Sequence, residues 1–491
     1  MVDNARLEKL KELKELGISA FPYTYRQQKH ASEIVAKFDK LNGKKVSVAG
    51  RVMRLRQLGK LYFMDLFDSS GKIQIMARPE SVSSGSAKLL GLLDVGDIIG
   101  VSGVVTKSNS GEISVDAATV TLLAKSLMQP PEKFHGLSDV ELRYRKRYLD
   151  IMSNQEARRI FVYRAKIIDY IRNFLNKRGY LEVETPILQP VYGGAFAEPF
   201  ITHHNYLDVD MYLRISNELY LKRLIIGGYE RVYEFSKDFR NEAVDANHNP
   251  EFTLLEFYEA YSDYNTFMKL TEKLLSGMVK KLYGSYDRTY QGKTISFKPP
   301  FKRIYLVDEI KKKSGIDIAE LTDDAVEEIA KKEGIDLAIK NRYHLADALF
   351  DKYVQKDLSD PTFVLDYPTY MCSLTKDKRG DSRLSERFEL FVAGKEIANC
   401  YSELTDPIQQ RAKFEEEDAE RRKGDPEAPP IDFDFIEAME YGMPPTAGIG
   451  IGIDRLVMLL ENVGSIKEVI LFPTTKPQAP AQAKGSAEVG K

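Results

Sequence analysis

Residues 238–260 read DFRNEAVDANHNPEFTLLEFYEA. The stretch predicts two β-strands with a loop over Ala243 to Asn249 between them. In the second strand the period of two places Phe252, Leu254, Glu256 and Tyr258 on one face. Arg240 and Glu242 share a face of the first. A carboxylate on a face otherwise built from Phe, Leu and Tyr is costly unless something meets it. The partner is either another side chain or a ligand.

Three further stretches pose the same question. Residues 442–460, GMPPTAGIGIGIDRLVMLL, alternate Gly448, Gly450 and Gly452 with isoleucines. As a strand this puts all three glycines on one side, a bare face that a flat ligand or another backbone can approach. Asp454 is expected to cap the helix that follows. Arg455 falls in that helix's first turn, where the dipole does not favour a cation, so an anion or an aromatic plane is a candidate partner. Tight strand–helix packing is the plainer reading. Residues 387–406, RFELFVAGKEIANCYSELTD, set Glu389 and Glu396 on either side of a turn at Ala393-Gly394. Two acids brought together there suit Mg²⁺ held against nucleotide phosphates. Asn399, Tyr401 and Glu403 then alternate onto one face. In SNELYLKRL, Glu218 stands near a strand end before a helical pattern. Taken singly, each glutamate reads as an exposed or ion-paired residue. His203-His204 point to opposite faces of a strand and make a poor metal pair. His248 sits in the loop between the two opening strands, open to a phosphate or a structural role.

At 491 residues the chain exceeds one ordinary domain. Lys plus Arg number 71 and Asp plus Glu 73, so any nucleic-acid surface must be a local patch. Cys372 and Cys400 are the only cysteines, which excludes a CxxC zinc knuckle or a disulfide framework. No secretory leader pattern or apolar run of about 20 residues occurs, and a cytoplasmic protein away from membranes is expected. Arg6 to Leu16 predicts a short amphipathic helix. From Val46 to Leu123 five short alternating strands suggest a small barrel of the OB type, with a β-sandwich as the plain alternative. A hinge follows at Gln129-Pro130-Pro131, then RYRKR (143–147), either a phosphate contact or, more plainly, a solvated helix face or an internal salt-bridge site. Glu156 to Arg178 predicts a long helix ended by Gly179. A charged helical segment interrupts the strand-rich remainder, and the Ala-, Pro- and Lys-rich tail is expected to be disordered.

Together these motifs resemble those of the class II aminoacyl-tRNA synthetases. GYLEVETPIL, with Pro186, resembles motif 1; FRNE with HNPEFTLLEF resembles motif 2; GIGIGIDR resembles motif 3. Within the class, RYRKRYLD, GGAFAEPFITHHN, ELYLKRLIIGGYERVYE, FELFVAGKEIANCYSEL and PPTAGIGIGIDR are similar to the lysyl-tRNA synthetases, over a span reaching about Pro473. The resemblance implies an α+β chain: a five-stranded OB-fold barrel followed by a class II catalytic domain on an antiparallel sheet flanked by helices. The implied divisions are an N-terminal extension (1–43), an anticodon-binding barrel (44–125), a linker (126–145), a catalytic domain (146–476) with an insertion at about 305–345, and a tail (477–491).

The implied activity is ATP-dependent formation of lysyl-adenylate and transfer of lysine to tRNA(Lys), by a homodimer with motif 1 at its interface. The alternatives are a relative that lysylates a protein, or a non-catalytic tRNA-binding protein. By resemblance, Arg240 grips the α-phosphate and the lysine carboxylate, and Arg455 shares the catalytic role. Glu242, His248, Asn249, Phe252 and Glu389 complete the ATP site, with Mg²⁺ on Glu389 and Glu396. Gly194 and Glu218 hold the α-amino group; Glu256, Tyr258 and Glu403 surround the ε-ammonium; Asn399 and Tyr401 complete the wall. Arg56, Phe63, Gln74 and Glu112 read the anticodon. The sequence departs from the family pattern at Asn217, at Asp245 to Asn247 and at Cys372 to Leu374.

Overall fold

The computed structural model describes residues 2–131, 137–422, 424 and 427–476. The expected tail, 477–491, lies outside the described residues, as does part of the expected linker. The chain divides into two compact units, Met1–Asn154 and Gln155–Lys491.

In the first unit, strands Lys45–Leu58, Leu61–Phe67, Lys72–Ala77, Ile98–Lys107 and Ile113–Ala124 close into a barrel. Alternation decides what lies inside. Val48, Val52, Met64, Leu66, Ile75, Val101 and Val115 fill the core, so Phe63 between Leu61 and Met64 turns outward. Leu13 of helix Asn4–Glu15 and Ile34 of helix Ala31–Ala36 belong to the same core. The N-terminal helix is therefore docked on the barrel. Each fully buried Leu or Ile of this kind contributes roughly 1.5–3 kcal/mol. RYRKR falls in helices Val140–Arg145 and Arg147–Ser153. Arg143 and Arg147 pair with Asp150 at 3.1 and 2.9 Å, and Arg145 pairs with Glu141. Three arginines of the segment are thus ion-paired to neighbouring acids.

The second unit is built on one large sheet. Its path runs Lys302–Tyr305, Thr362–Pro368, Asp381–Val392, Lys395–Ser402, Thr446–Gly452, Glu251–Ala260, Arg231–Phe239, Leu181–Glu182. The central pairings are antiparallel and the two outermost are parallel. One face carries Leu255, Phe257, Ile449, Ile451, Phe388 and Leu390. These pack with Ile160, Ile167 and Ile171 of helix Gln155–Asn176, with helix Tyr264–Tyr283 and with helix Ile453–Leu460. Residues of opposite parity on the same strands face the other way, and that second face is the site. Helices Leu306–Ser314 and Arg342–Tyr353 of the inserted segment close over an apolar cluster of their own, which includes Ile310, Leu345 and Leu349. His203 pairs with Asp208 and Asp210 (3.3 and 2.9 Å), while His204 accepts from the Leu207 amide, so the two rings serve separate local contacts.

Candidate active site

Strand register writes the site as two rows. Glu256, Gly450, Asn399 and Glu389 are successive cross-strand partners; so are Tyr258, Gly448, Tyr401 and Arg387. A glycine stands in each row, so long side chains rise on both sides of a bare strip. All eight residues line one cavity of about 760 Å³. The glycines differ. A Cβ at Gly448 would lie 2.1 Å from the Tyr258 ring and 2.4 Å from a Glu403 oxygen, so the protein itself requires glycine there. At Gly450 and Gly452 a Cβ would meet only ordinary contacts of 3.8 Å or more. Neighbouring side chains do not explain those two glycines, whereas the open strip fits a flat ligand.

One end of the cavity is arginine-rich. The first opening strand ends at Phe239, one residue short of Arg240, so Arg240 and Glu242 project from the start of the loop and not from a strand face as expected. The Arg240 amide donates to the Pro250 carbonyl (2.9 Å), one step beyond the Phe239–Glu251 pair. Its guanidinium lies 5.1 Å from the Phe252 ring centroid, and its buried Nε has no hydrogen-bond partner among the described residues. Burial pushes Asp238 up to about 6 against the pull of Arg214 and Arg240. Arg455 donates to the Glu396 carbonyl and carboxylate (both 3.3 Å) and contacts His248 Nε2 (3.2 Å). The other ring nitrogen of His248 meets Asp245 at 2.9 Å, and this contact holds Asp245 down near 2. Asn249 is buried, with its amide donating to the Glu251 carbonyl. Asp454 is not a cap: Gly452 takes that position. Asp454 instead accepts from the Thr253 amide and from Arg164, both at 2.6 Å, which ties the helix to the neighbouring strand.

Glu389 and Glu396 flank a tight turn in which Ala393 and Gly394 have φ of 52° and 70°. Glu389 accepts from Tyr367 (2.8 Å) and pairs with Arg387; burial raises it to about 7, against the pull of Arg387. Among the described residues no group of three acidic, His or Cys side chains could hold a metal ion. The donor set is thus two carboxylates, which suits Mg²⁺ only if phosphate and water supply the rest.

The other end is acidic and closed. Glu256 is buried, and its two oxygens accept from Ser216 (3.2 Å) and Tyr258 (2.9 Å). Among the described residues it has no ion-pair partner, and burial, with Glu218 and Asp238 nearby, drives it well above the carboxylate range. Gly194 has φ of +84°, and a Cβ there would press on Ser216 and Glu218 at 3.0 and 3.2 Å. Glu218 lines the cavity; Glu403, alone among the residues assigned to lysine, does not. It is fully buried, and burial raises it to about 8 despite Lys222. Lys222 pairs with both Glu218 and Glu403 at 2.5 Å. Of the two kinds of partner the sequence left open, a side chain serves two of the three acids: Lys222 meets Glu218 and Glu403.

Sequence reasoning missed Arg387, Lys222 and Glu417. Arg387 contacts Asn399 (3.2 Å) and the Met371 carbonyl (2.9 Å) and lies over Tyr367. Its signal was its place two residues before Glu389 on one strand face. Lys222 follows Glu218 by four residues, the spacing of a helical ion pair. Glu417 lines the cavity from helix Pro407–Arg422, with burial raising it to about 7; nothing in the sequence marks it. In the barrel, Arg56 and Phe63 are direct cross-strand partners. Gln74 donates to Glu112 (2.9 Å) and accepts from Ser114 (2.9 Å).

An antiparallel sheet whose bare central strip joins an arginine end to an acidic end, in a chain that also carries an OB barrel, is the architecture of a class II tRNA synthetase. The family model for class II tRNA synthetases (D, K and N) matches residues 139–476, and that for the OB-fold nucleic acid binding domain matches residues 46–123. The chain belongs to the class II tRNA synthetase family. Its relatives include proteins named lysine–tRNA ligase from Clostridium novyi (49% identical, 96% of this chain and 94% of the relative) and Moorella thermoacetica (47%, 96% and 97%). Another, from Methanoculleus marisnigri, is 47% identical over 99% of this chain and 97% of its own length.

Proposed function

We propose that this chain is a lysine–tRNA ligase that activates L-lysine with ATP and transfers it to tRNA(Lys) in the cytoplasm. The observation that carries the reading is one cavity lined by both arginines and acids, with Arg240 opposite Pro250 at the start of strand Glu251–Ala260 and Glu256 further along that strand beside Glu218. ATP and the lysine carboxylate belong to the arginines, the two ammonium groups to the acids. The lysine carboxylate attacks the α-phosphorus, and pyrophosphate leaves. Arg240, with an unused buried donor, is suited to the charge that grows on the phosphoryl oxygens. Glu242 takes the adenine amino group; Phe252 and Arg455 frame the ring over the glycine strip; His248 and Asn249 reach phosphates. Glu389 and Glu396 would hold Mg²⁺, which neutralises phosphate charge when bound. Gly194 and Glu218 take the α-amino group. Glu256 and Tyr258 take the ε-ammonium, with Glu403 behind them and Asn399 and Tyr401 as walls.

In the barrel, Phe63 stacks on an anticodon base, and Arg56, Gln74 and Glu112 supply polar contacts. The barrel favours tRNA over a protein acceptor. A homodimer is supported by exposed apolar residues around motif 1, among them Leu181, Ile187, Leu188 and Ile201. Among the described residues no helix is long and apolar enough to cross a membrane. The test is ATP–pyrophosphate exchange with each amino acid, followed by charging of purified tRNA. Exchange with lysine and charging of tRNA(Lys) are expected; exchange supported by a different amino acid would overturn the substrate.

A further inference from the structure

Lys222 lies one helical turn beyond Glu218 on helix Glu218–Ile226, and its side chain is fully buried. Its Nζ stands 2.5 Å from Glu218 Oε1 and 2.5 Å from Glu403 Oε2, so those oxygens are no more than twice that distance apart. The contact to Glu403 is an ion pair between two fully buried side chains. The other Glu403 oxygen lies against Gly448, on the cavity floor, and has no hydrogen-bond partner among the described residues.

Other titratable groups bear on this trio from several elements, Cys400 and Tyr401 of strand Lys395–Ser402 among them. Glu256 and Tyr258 come from strand Glu251–Ala260, Glu417 from helix Pro407–Arg422, and Lys376 from the segment before strand Asp381–Val392. Burial disfavours the Lys222 charge, and the two carboxylates outweigh it. Two carboxylates this close repel, and without a cation one takes up a proton. A half-protonated pair is a poor receptor for an ammonium group.

We propose that Lys222 is a positioning residue for amino-acid recognition, which offsets the repulsion between the Glu218 and Glu403 side chains and fixes their spacing so that a diammonium substrate finds both ends of its site preformed. The inference rests on the lysine reading above. Lys222 touches neither substrate nor nucleotide in this scheme; it acts through the two glutamates.

The experiment uses the full chain and measures lysine-dependent ATP–pyrophosphate exchange from pH 6 to 9 for the natural protein, Lys222→Met and Lys222→Arg. Lys222→Met is expected to lower kcat/KM for lysine roughly 100-fold and to leave the KM for ATP within about threefold. Its activity is expected to rise with pH along a curve displaced upward by about one pH unit or more, because losing the cation raises the carboxylate pKa. Lys222→Arg keeps the charge, so its KM for lysine rises while its pH curve stays with the natural protein's. The Arg variant also decides the matter where the Met variant does not fold: an upward-displaced curve in Lys222→Arg overturns the proposal. So does a folded Lys222→Met with an unchanged curve, or one that loses ATP and lysine affinity equally. If the natural protein shows no exchange with lysine, the substrate reading fails and this inference fails with it. An active natural protein beside an unaffected Lys222→Met removes the role of Lys222 alone.

Discussion

The two ends of the cavity handle charge in opposite ways. At the arginine end Arg455, His248, Asp245 and Glu396 form a chain of contacts that is partly open to solvent. At the acidic end Glu256, Glu403 and Lys222 are buried, and the carboxylates sit far from their ordinary range. The difference matches the tasks proposed for them. Triphosphate binding tolerates solvent, because charge-assisted contacts to several oxygens supply the affinity. Choosing one amino acid among twenty needs a dry site, where a missing ammonium leaves a carboxylate unmatched.

The largest effects should separate the ends by kinetic parameter. Arg240→Gln removes a donor suited to the charge of the reacting phosphate, and kcat is expected to fall about 10²–10³-fold. Glu256→Gln keeps the shape and one of the two accepted hydrogen bonds, turns the amide nitrogen into a donor at the other, and removes the charge. It should raise the KM for lysine by about 30-fold or more, the range for breaking a buried charge pair, with the KM for ATP nearly unchanged. Steady-state exchange kinetics on the two variants make the check. Equal loss for both substrates in Glu256→Gln would erase the contrast between the ends.

A smaller effect lies in the floor that joins them. Gly448→Ala drives a methyl into the Tyr258 ring and the Glu403 carboxylate and should cost about 1–3 kcal/mol of stability by overpacking. Gly450→Ala has room within the protein, so its thermal unfolding should stay close to the parent while its KM for ATP rises. Paired unfolding curves test this; equal destabilisation would mean that both glycines serve packing alone.

The sheet was readable in the sequence because its strands alternate. Phe252, Leu254, Glu256 and Tyr258 do share the cavity, and GIGIGI does present a bare strip. The barrel was readable for the same reason. What alternation cannot carry is register between distant strands or the side-chain partners of a buried acid. Glu256 and Glu403 both stood out as charges on apolar faces, yet only the folded chain shows that Ser216 and Tyr258 serve one and Lys222 the other. Asp454 misled because an acid beside a helix start has two uses, and here a strand amide competes successfully with the helix end. Arg240 was placed one residue too far into its strand, since nothing in the local pattern fixes where pairing stops.

The pH dependence should differ between the ends by a modest margin. Glu403 is raised to about 8 by burial. A raised carboxylate is protonated below its pKa, so kcat/KM for lysine should climb as pH rises from 6.5 toward 8.5. Stability runs the other way: the raised group favours the folded state at low pH, and that contribution fades as pH rises through about 8. Exchange at saturating lysine with varied ATP, set against the reverse, gives both profiles. Identical profiles would argue that the acidic end does not control lysine binding.

A change that leaves both cavity ends untouched is expected in the barrel. Phe63 projects from the barrel beside Arg56, its cross-strand partner. If it stacks on an unpaired base, Phe63→Ala should weaken tRNA binding by about 1–3 kcal/mol and raise the KM for tRNA accordingly. Met64 and Leu66, which do fill the core, are untouched by the change, so the barrel should keep its fold. Exchange needs no tRNA, so lysine-dependent exchange should be the same in parent and variant. Loss of exchange in Phe63→Ala would mean that the residue supports the fold instead of reading RNA. Loss of charging with exchange intact would confine the defect to the RNA side and leave the contrast between the two cavity ends standing on its own chemistry.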